Sequence, residues 1–375
     1  MKSGWFKKHI SDVALVQSGS GFPDKYQGQI DQGIPFYKVS DMNIAGNERE
    51  MIYANNSIAE EVRRKLGAFL LPKGSIIFPK IGGAIATNKK RLTTRDCCVD
   101  NNVMGVIPKA GEIDNQFLYY FFLAHDLSEF ANEAHLPSIK KTTVEDREIA
   151  LPATLHEQRR IVGILDEAFD GIGAAKANTE TNLRNARALF ESHLHDVDAE
   201  KVSLGDLVNI KTGKLDANAA VERGQYPFFT CSRQIYAIDD YAFDCEAILL
   251  AGNNAVGDFN VKHYKGKFNA YQRTYVITVN ERKRVLYRFL YFQLLRSLKK
   301  FKAQSVGVGT KFLKLGMIKA LEIALPSLSE QQRIVSTMDF IRKKTESLES
   351  IYQQKLAALE ALKKSLLHQA FTGAL

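Results

Sequence analysis

Cysteine is scarce, with four residues in a chain of 375. Cys97, Cys98, Cys231 and Cys245 show neither the paired spacing of a metal knuckle nor the density of a disulfide scaffold, and they read as buried thiols. Long apolar runs are also missing. The longest, Phe117 to Ala124, is too short to span a membrane. Lys2, Lys7 and Lys8 are not followed by the hydrophobic stretch of a signal peptide, so the expectation is a cytoplasmic protein with no membrane segment. Nucleotide-binding loops are absent as well. GNNAVGDF at Gly252 has the glycine spacing of a phosphate loop but places Asp258 where its lysine should stand. IGGAIA at Ile81 lacks the dinucleotide spacing and reads as a turn that lets backbone approach closely. Asp258 with Glu281, Arg282 and Lys283 reads as charged-turn chemistry rather than a nuclease carboxylate set. His193 and His195, at a helix end without partner ligands, read as dipole-pairing residues rather than metal ligands.

Positive charge is what the chain has in excess, with a formal net charge of +9. Its basic residues fall in short clusters, Arg63-Arg64-Lys65, Lys89-Lys90-Arg91, Lys140-Lys141, Arg282-Lys283-Arg284 and Lys299-Lys300. A single cluster of this kind is an ordinary solvated face, but the overall excess favours a polyanionic partner.

The dominant feature is a duplication. LPATLHEQRRIVGILDEAF from Leu151 and LPSLSEQQRIVSTMDFI from Leu325 align Glu157 with Glu330, Gln158 with Gln331, Arg160 with Arg333 and Ile161 with Ile334. Each copy opens with a hydroxyl residue followed three positions later by glutamate, Thr154 with Glu157 and Ser327 with Glu330. These are capping boxes, in which the hydroxyl accepts from the third helical N–H and the carboxylate reaches back to the cap's own N–H. Beyond each cap, apolar and small residues recur at alternating steps of four and three. The first series is Ile161, Leu165, Ala168, Ile172, Ala175, Thr179, Leu183, Ala186 and Leu189. The second is Ile334, Met338, Ile341, Thr345, Leu348, Tyr352, Leu356, Leu359, Leu362 and Leu366. Such spacing predicts two long helices that pair along a coiled-coil seam, from Glu157 to His193 and from Glu330 to Ala370, with Gly171 and Gly173 allowing close approach and Gly373 stopping the second helix.

The segments before these helices repeat more loosely. IPFYKVS at Ile34 answers YPFFTCS at Tyr226, GSIIFPKIGG answers EAILLAGNN, FLYYF at Phe117 answers FLYFQ at Phe289, and Ile10, Asp12 and Gly19 sit opposite Leu204, Asp206 and Gly213. Short apolar runs punctuated by glycine, proline and asparagine predict mixed, mostly β domains, with strands over Ile34 to Val39, Ser75 to Phe78 and Val103 to Ile107 and one helix over Asn115 to Asn132. The expected fold is therefore α+β with an internal pseudo-twofold repeat: a domain at 1–152, a helix at 153–198, a second domain at 199–325 and a second helix at 326–375. Chain order then implies an antiparallel helical hairpin holding two unequal domains apart as a dumbbell.

This layout, with its duplicated LP-x(2,3)-EQ-x-x-IV helix start and terminal QAFTGAL, resembles the specificity (S, HsdS) subunits of type I restriction-modification systems. The resemblance covers the whole chain. It implies a non-catalytic subunit in which each domain is a target recognition domain reading one half of a bipartite double-stranded DNA site, while the helices set the gap. It also implies two methyltransferase (M) subunits docked on the helices and restriction (R) subunits in the full complex, with S-adenosylmethionine and ATP/Mg on those partners and no cofactor here. An NPPY-like or DPPY-like segment, needed for adenine methylation by the chain itself, is absent.

Base reading requires forked donors and amides on loops. In the first domain this singles out Lys38, Ser40 and Asp41, then Lys80, then Lys89, Lys90 and Arg91, then Ser138, Lys140 and Lys141. In the second it singles out Ser232, Arg233 and Gln234, then Asn253 and Asn254, then Gln272 and Arg273, then Gln304, Thr310 and Lys311. Gln158, Arg160, Gln331 and Arg333 recur on helix faces expected to be exposed, which assigns them to partner docking. Two other classes fit part of the pattern: a coiled-coil adaptor joining two protein partners, and a stand-alone DNA-modifying enzyme.

Overall fold

The structure is a computed structural model describing residues 4–192, 199–281 and 284–375. His193 and His195, like Arg282 and Lys283, lie outside the described residues. The chain forms two compact units, residues 1–178 with 355–375 and residues 179–354, so each joins one sheet-rich domain to an end of both long helices. No described helix is long and apolar enough to cross a membrane.

In the first unit, β1 (Ala14–Ser18), β2 (Ile76–Pro79), β3 (Arg91–Thr93) and β4 (Val103–Pro108) form an antiparallel sheet in the order β1-β4-β2-β3, edged by Glu50–Met51 in parallel. Strand β2 is buried along its whole length, which is why its sequence is continuously apolar rather than alternating. Against the sheet packs α1 (Asn115–Ala124), with Phe117, Leu118, Tyr119, Tyr120, Phe121 and Phe122 all in the core. This helix ends at Ala124, short of the expected Asn132, because Asp126 caps a separate 3₁₀ turn over Leu127–Phe130.

The second unit repeats the plan. Here β5 (Val208–Thr212), β6 (Phe243–Ala251), β7 (Val261–Ala270) and β8 (Thr274–Val279) take the order β5-β8-β6-β7, extended by Tyr226–Phe229 and Tyr236–Ile238. The helix equivalent to α1 is Tyr287–Gln304. Gly19 and Gly213 show why glycine recurs. A Cβ would stand 1.9 Å from the Asp100 carbonyl oxygen at Gly19 and 1.7 Å from that of Ala270 at Gly213, so backbone passes backbone with no room for a side chain.

The two long helices are α2 (Leu155–Ser192) and, after α3 (Tyr287–Gln304), α4 (Leu328–Thr372). Their caps use the expected hydroxyls: Thr154 Oγ1 accepts from Glu157 N at 3.2 Å and Ser327 Oγ from Glu330 N at 3.4 Å. The glutamate carboxylates, expected to reach back to the cap, are instead forked onto Arg160 and Arg333 three residues on. Within the first unit Arg160 reaches the Leu375 carbonyl and Lys176 bonds Glu360, so α2 and α4 run antiparallel there. Within the second, Arg187 bonds Glu349. Gly373 closes α4 in a left-handed conformation, φ 76°, with Ala374 N donating to the Gln369 carbonyl.

The seam follows the expected positions through Ile161, Leu165, Ile172, Thr179 and Ala186, then slips. Leu189, Leu348 and Leu362 are exposed, and the neighbouring Phe190, Glu349 and Lys363 are the half-buried residues. An α-helix turns every 3.6 residues, so a strict 3.5-residue pattern walks off the contact line after a few turns. Gly171 and Gly173 also differ from expectation: a Cβ at either would meet nothing within 4 Å, so neither serves close helix approach.

Candidate nucleic-acid interface

The junction between each domain and its following helix is built the same way twice, and glutamine is its centre. Gln158 is buried at 1% exposure; its Oε1 accepts from Asp114 N at 2.8 Å, the N-cap of α1, and its Nε2 faces the carbonyls of Glu112 and Pro152. Gln331, fully buried, repeats this on Leu286 N at 2.9 Å, the N-cap of α3, and on the carbonyls of Arg284 and Pro326. The expectation that these glutamines lie on exposed docking faces is therefore corrected: they satisfy backbone groups that would otherwise be buried without partners. Arg160 and Arg333 remain exposed beside their glutamates.

At the end of the first sheet, the loop after β2 and the segment before the short helix Lys141–Glu145 meet: Ile81 bridges Ser138, and Ile139 N donates to the Lys80 carbonyl at 2.9 Å. Lys80 Nζ reaches Ser18 Oγ at 3.1 Å, and burial lowers its pKa against the pull of Asp100. Asp100 is itself buried, its carboxyl pushed up by desolvation, with Lys38 among the charges facing it. Lys38 Nζ is held by Gln27, while Ser40, Lys140 and Lys141 are exposed. Two of the selected residues turn inward. Asp41 is fully buried, with its carboxylate accepting from Lys38 N and Asn55 N, because it shapes the turn that carries Lys38 and Ser40. Lys90, 1% exposed, donates to the His125 carbonyl and to Asn88, and burial pushes its pKa down to about 8. Its neighbours Lys89 and Arg91 tie instead to Asn43 and the Met42 carbonyl, on the turn that follows Ser40.

In the second unit most of the selected residues converge. Asn253 and Asn254 pair with Phe312 and Lys311. Asn254 Oδ1 accepts from Asp258 N at 3.0 Å, and the Asp258 carboxylate accepts from Arg233 Nη2 at 2.8 and 3.0 Å. That ion pair is well exposed, so exchanging the carboxylate for a nucleic-acid acceptor costs little. Ser232 presents its carbonyl to Lys262 Nζ at 2.6 Å, and Gln234 is exposed. Beside these, a cleft of about 310 Å³ is lined by Thr212, Gln272, Arg273, Tyr275, Phe312 and Leu313. The Arg273 guanidinium lies over the Phe312 ring at 5.1 Å, and Gln272 is held by Asp216. Gln304 closes α3 and Thr310 sits in the loop that follows, next to Gly307 and Gly309.

The two sheet ends share a backbone hydrogen bond that aligns them. Lys80 N donates to the Asn102 carbonyl and Gly252 N to that of Arg273, both at 2.9 Å. Lys80 thus stands where the second domain has Gly252, and its ammonium reaches Ser18, whose counterpart Thr212 lines the second domain's cleft. Asn101, exposed at the position answering Gln272, was missed by residue type alone. Aligning the loops between strands, rather than the strands themselves, would have found it. Lys262 was missed too, since nothing in a β-strand sequence marks one lysine as half-buried; desolvation pushes its pKa down to about 8.

Residues 2–182 and 196–358 match the family described as type I restriction modification DNA specificity domain. Over 179 residues the chain is 42% identical to the type I restriction enzyme EcoDI specificity subunit of Escherichia coli. That match covers 48% of this chain and 39% of that protein, so it spans under half the length of the curated relative. Among solved structures, a chain described under "Structural basis underlying complex assembly and conformational transition of the type I R-M system" superposes with TM-score 0.78 at 17% identity, covering 100% of this chain and 99% of that one. The HsdS subunit from Thermoanaerobacter tengcongensis gives TM-score 0.59 at 16% identity, covering 100% and 98%. At these identities the likeness is one of fold.

Proposed function

The chain belongs to the type I restriction-modification DNA specificity domain family, and from that premise we propose that it is a non-catalytic DNA-reading subunit. Each domain reads one half of a bipartite duplex site through the loops at its sheet end. The single observation that carries this reading is the junction: the same glutamine hydrogen bonds join helix to domain in both repeats, while the loops at the sheet ends carry different donors. A shared mount with divergent tips suits two readers of different sequences. Lys38, Ser40, Lys80, Ser138, Lys140 and Lys141 supply the donors in the first domain; Arg233, Gln234, Asn253, Gln272, Arg273 and Lys311 supply them in the second.

In this reading α2 and α4 set the gap between half-sites and dock two methyltransferase subunits, which carry S-adenosylmethionine. Restriction subunits with ATP/Mg join in the full complex. Arg160 and Arg333, exposed at equivalent helix starts, are offered to those partners. The test is domain exchange. Replacing residues 1–152 with the first domain of another family member and mapping methyladenine in the host should change one half of the methylated motif and leave the other half intact. A change in both halves, or no methylation assigned to this chain before exchange, overturns the reading.

A further inference from the structure

Each recognition domain is stapled to its long helix at a second point beyond the glutamine, and there the two repeats reach one geometry by different routes. In the first unit Asp166, on α2, accepts from Arg49 Nη2 at 2.7 Å and from the Tyr120 hydroxyl. The Arg49 guanidinium lies over the rings of Tyr119 and Tyr120, 5.8 and 5.6 Å from their centroids. In the second unit Asp339, at the equivalent place on α4, accepts from Arg288 Nε at 2.9 Å and from its Nη2. The Arg288 guanidinium lies over Tyr291 and Phe292, at 4.9 and 5.0 Å.

The carboxylates correspond, and so do the ring pairs: FLYYF at Phe117 and FLYFQ at Phe289 place Tyr119 opposite Tyr291 and Tyr120 opposite Phe292. The arginines do not correspond. Arg288 belongs to α3 itself, whereas Arg49 comes from the segment between Lys38 and β2 that the second domain lacks in this form. Arg49 also bonds Gln116 on α1, and its carbonyl accepts from Leu92 N in β3. The segment carrying Lys38 and Ser40 is thereby tied to the helix through one guanidinium.

We propose that Asp166 and Asp339 are positioning residues that fix the tilt of each recognition domain on its helix, and so the base-pair gap the protein accepts between half-sites. The glutamine clamp grips the start of α1 or α3, and beyond it Ile161 and Leu165, or Val335 and Met338, hold helix to domain by apolar packing, which has no preferred direction. A planar guanidinium gripped between a carboxylate and the faces of two rings supplies that direction, because a fork fixes direction as well as distance. The proposal rests on the DNA-reading role above.

The test uses the full complex with its methyltransferase subunits and duplexes carrying the cognate motif with its native gap or with one base pair added or removed. In competition binding, Asp166→Asn and Asp339→Asn should each lower the preference for the native gap by about two- to fivefold, as loss of a half-exposed ion pair allows, with native-gap affinity nearly unchanged. Arg49→Lys, which leaves both helices intact, should give the same shift as Asp166→Asn, so misfolding of a helix variant cannot stand in for the result. An unchanged gap preference in the folded variants, or an equal loss of affinity on all three duplexes, overturns the proposal. A wild-type complex without sequence-dependent binding would instead overturn the DNA-reading role itself, and is distinguished by appearing before any substitution.

Discussion

The second domain carries one ten-residue strand, Val261–Ala270, where the first has two short ones, Arg91–Thr93 and Cys98–Val99. The parallel partner of that strand shows the correspondence: Phe36 and Tyr37 lie opposite Cys98 and Val99, as Phe228 and Phe229 lie opposite Asn269 and Ala270. One domain therefore keeps a continuous six-stranded sheet, while the other divides into five- and three-stranded sheets. At the helix junctions the two domains are alike down to individual hydrogen bonds. The difference teaches where this fold can change. Loops beside a sheet end tolerate insertion and new chemistry because water can satisfy them, whereas buried backbone groups at a junction need a particular partner.

The comparison is sharpened first by the glycines. Gly19→Ala and Gly213→Ala should each cost about 3 kcal/mol, since the added carbon must displace a carbonyl in a closely packed layer. Thermal melting of the two variants should show similar losses, and a tolerated substitution in one domain alone would break the claimed equivalence. Next come the clamps. Gln158→Leu and Gln331→Leu each strand a buried N–H and carbonyls, at a cost of about 2 kcal/mol read by denaturant unfolding. A neutral result would return those glutamines to a docking role.

The smallest effect is one of pH, and a desolvated lysine contributes it in each domain, Lys90 in the first and Lys262 in the second. Lys262 has its pKa pushed down to about 8 from 10.5 by burial. Between those values the unfolded chain binds more protons than the folded one, so this lysine's burden on stability is full below about pH 8 and is relieved as pH rises toward 10.5. Lys262→Met should remove this lysine's share of that rise, about 1 kcal/mol after allowance for partial solvent access, in melts followed from pH 7 to 10, and leave the share contributed by Lys90. A wild-type profile matching the variant's would show that the ammonium is not desolvated.

Much of the site was legible only as residue type. Arg233, Asn253, Gln272 and Lys311 read as donors on loops; Asn253 and Lys311 lie on short paired strands instead, and the four lie around Asn254 and its neighbouring cleft. Asp41 and Lys90 satisfied the same criterion and are buried, because their partners, Asn55 and the His125 carbonyl, lie 14 and 35 residues away in sequence. Cys97 and Cys98 are buried as expected, but Cys231 and Cys245 are only half-buried.

The sequence by itself determined the repeat, the two helix starts and two strands, read over Ser75 to Phe78 and Val103 to Ile107 and found over Ile76–Pro79 and Val103–Pro108, since helix caps and apolar runs are local signals. It also determined the family. Only the tertiary structure decided that Gln158 and Gln331 face inward, that Lys80 reaches Ser18, and that Arg49 and Arg288 meet equivalent carboxylates. Each of those outcomes depends on which distant backbone carbonyl, ring or carboxylate arrives next to a polar side chain. No periodicity within one segment encodes that arrival.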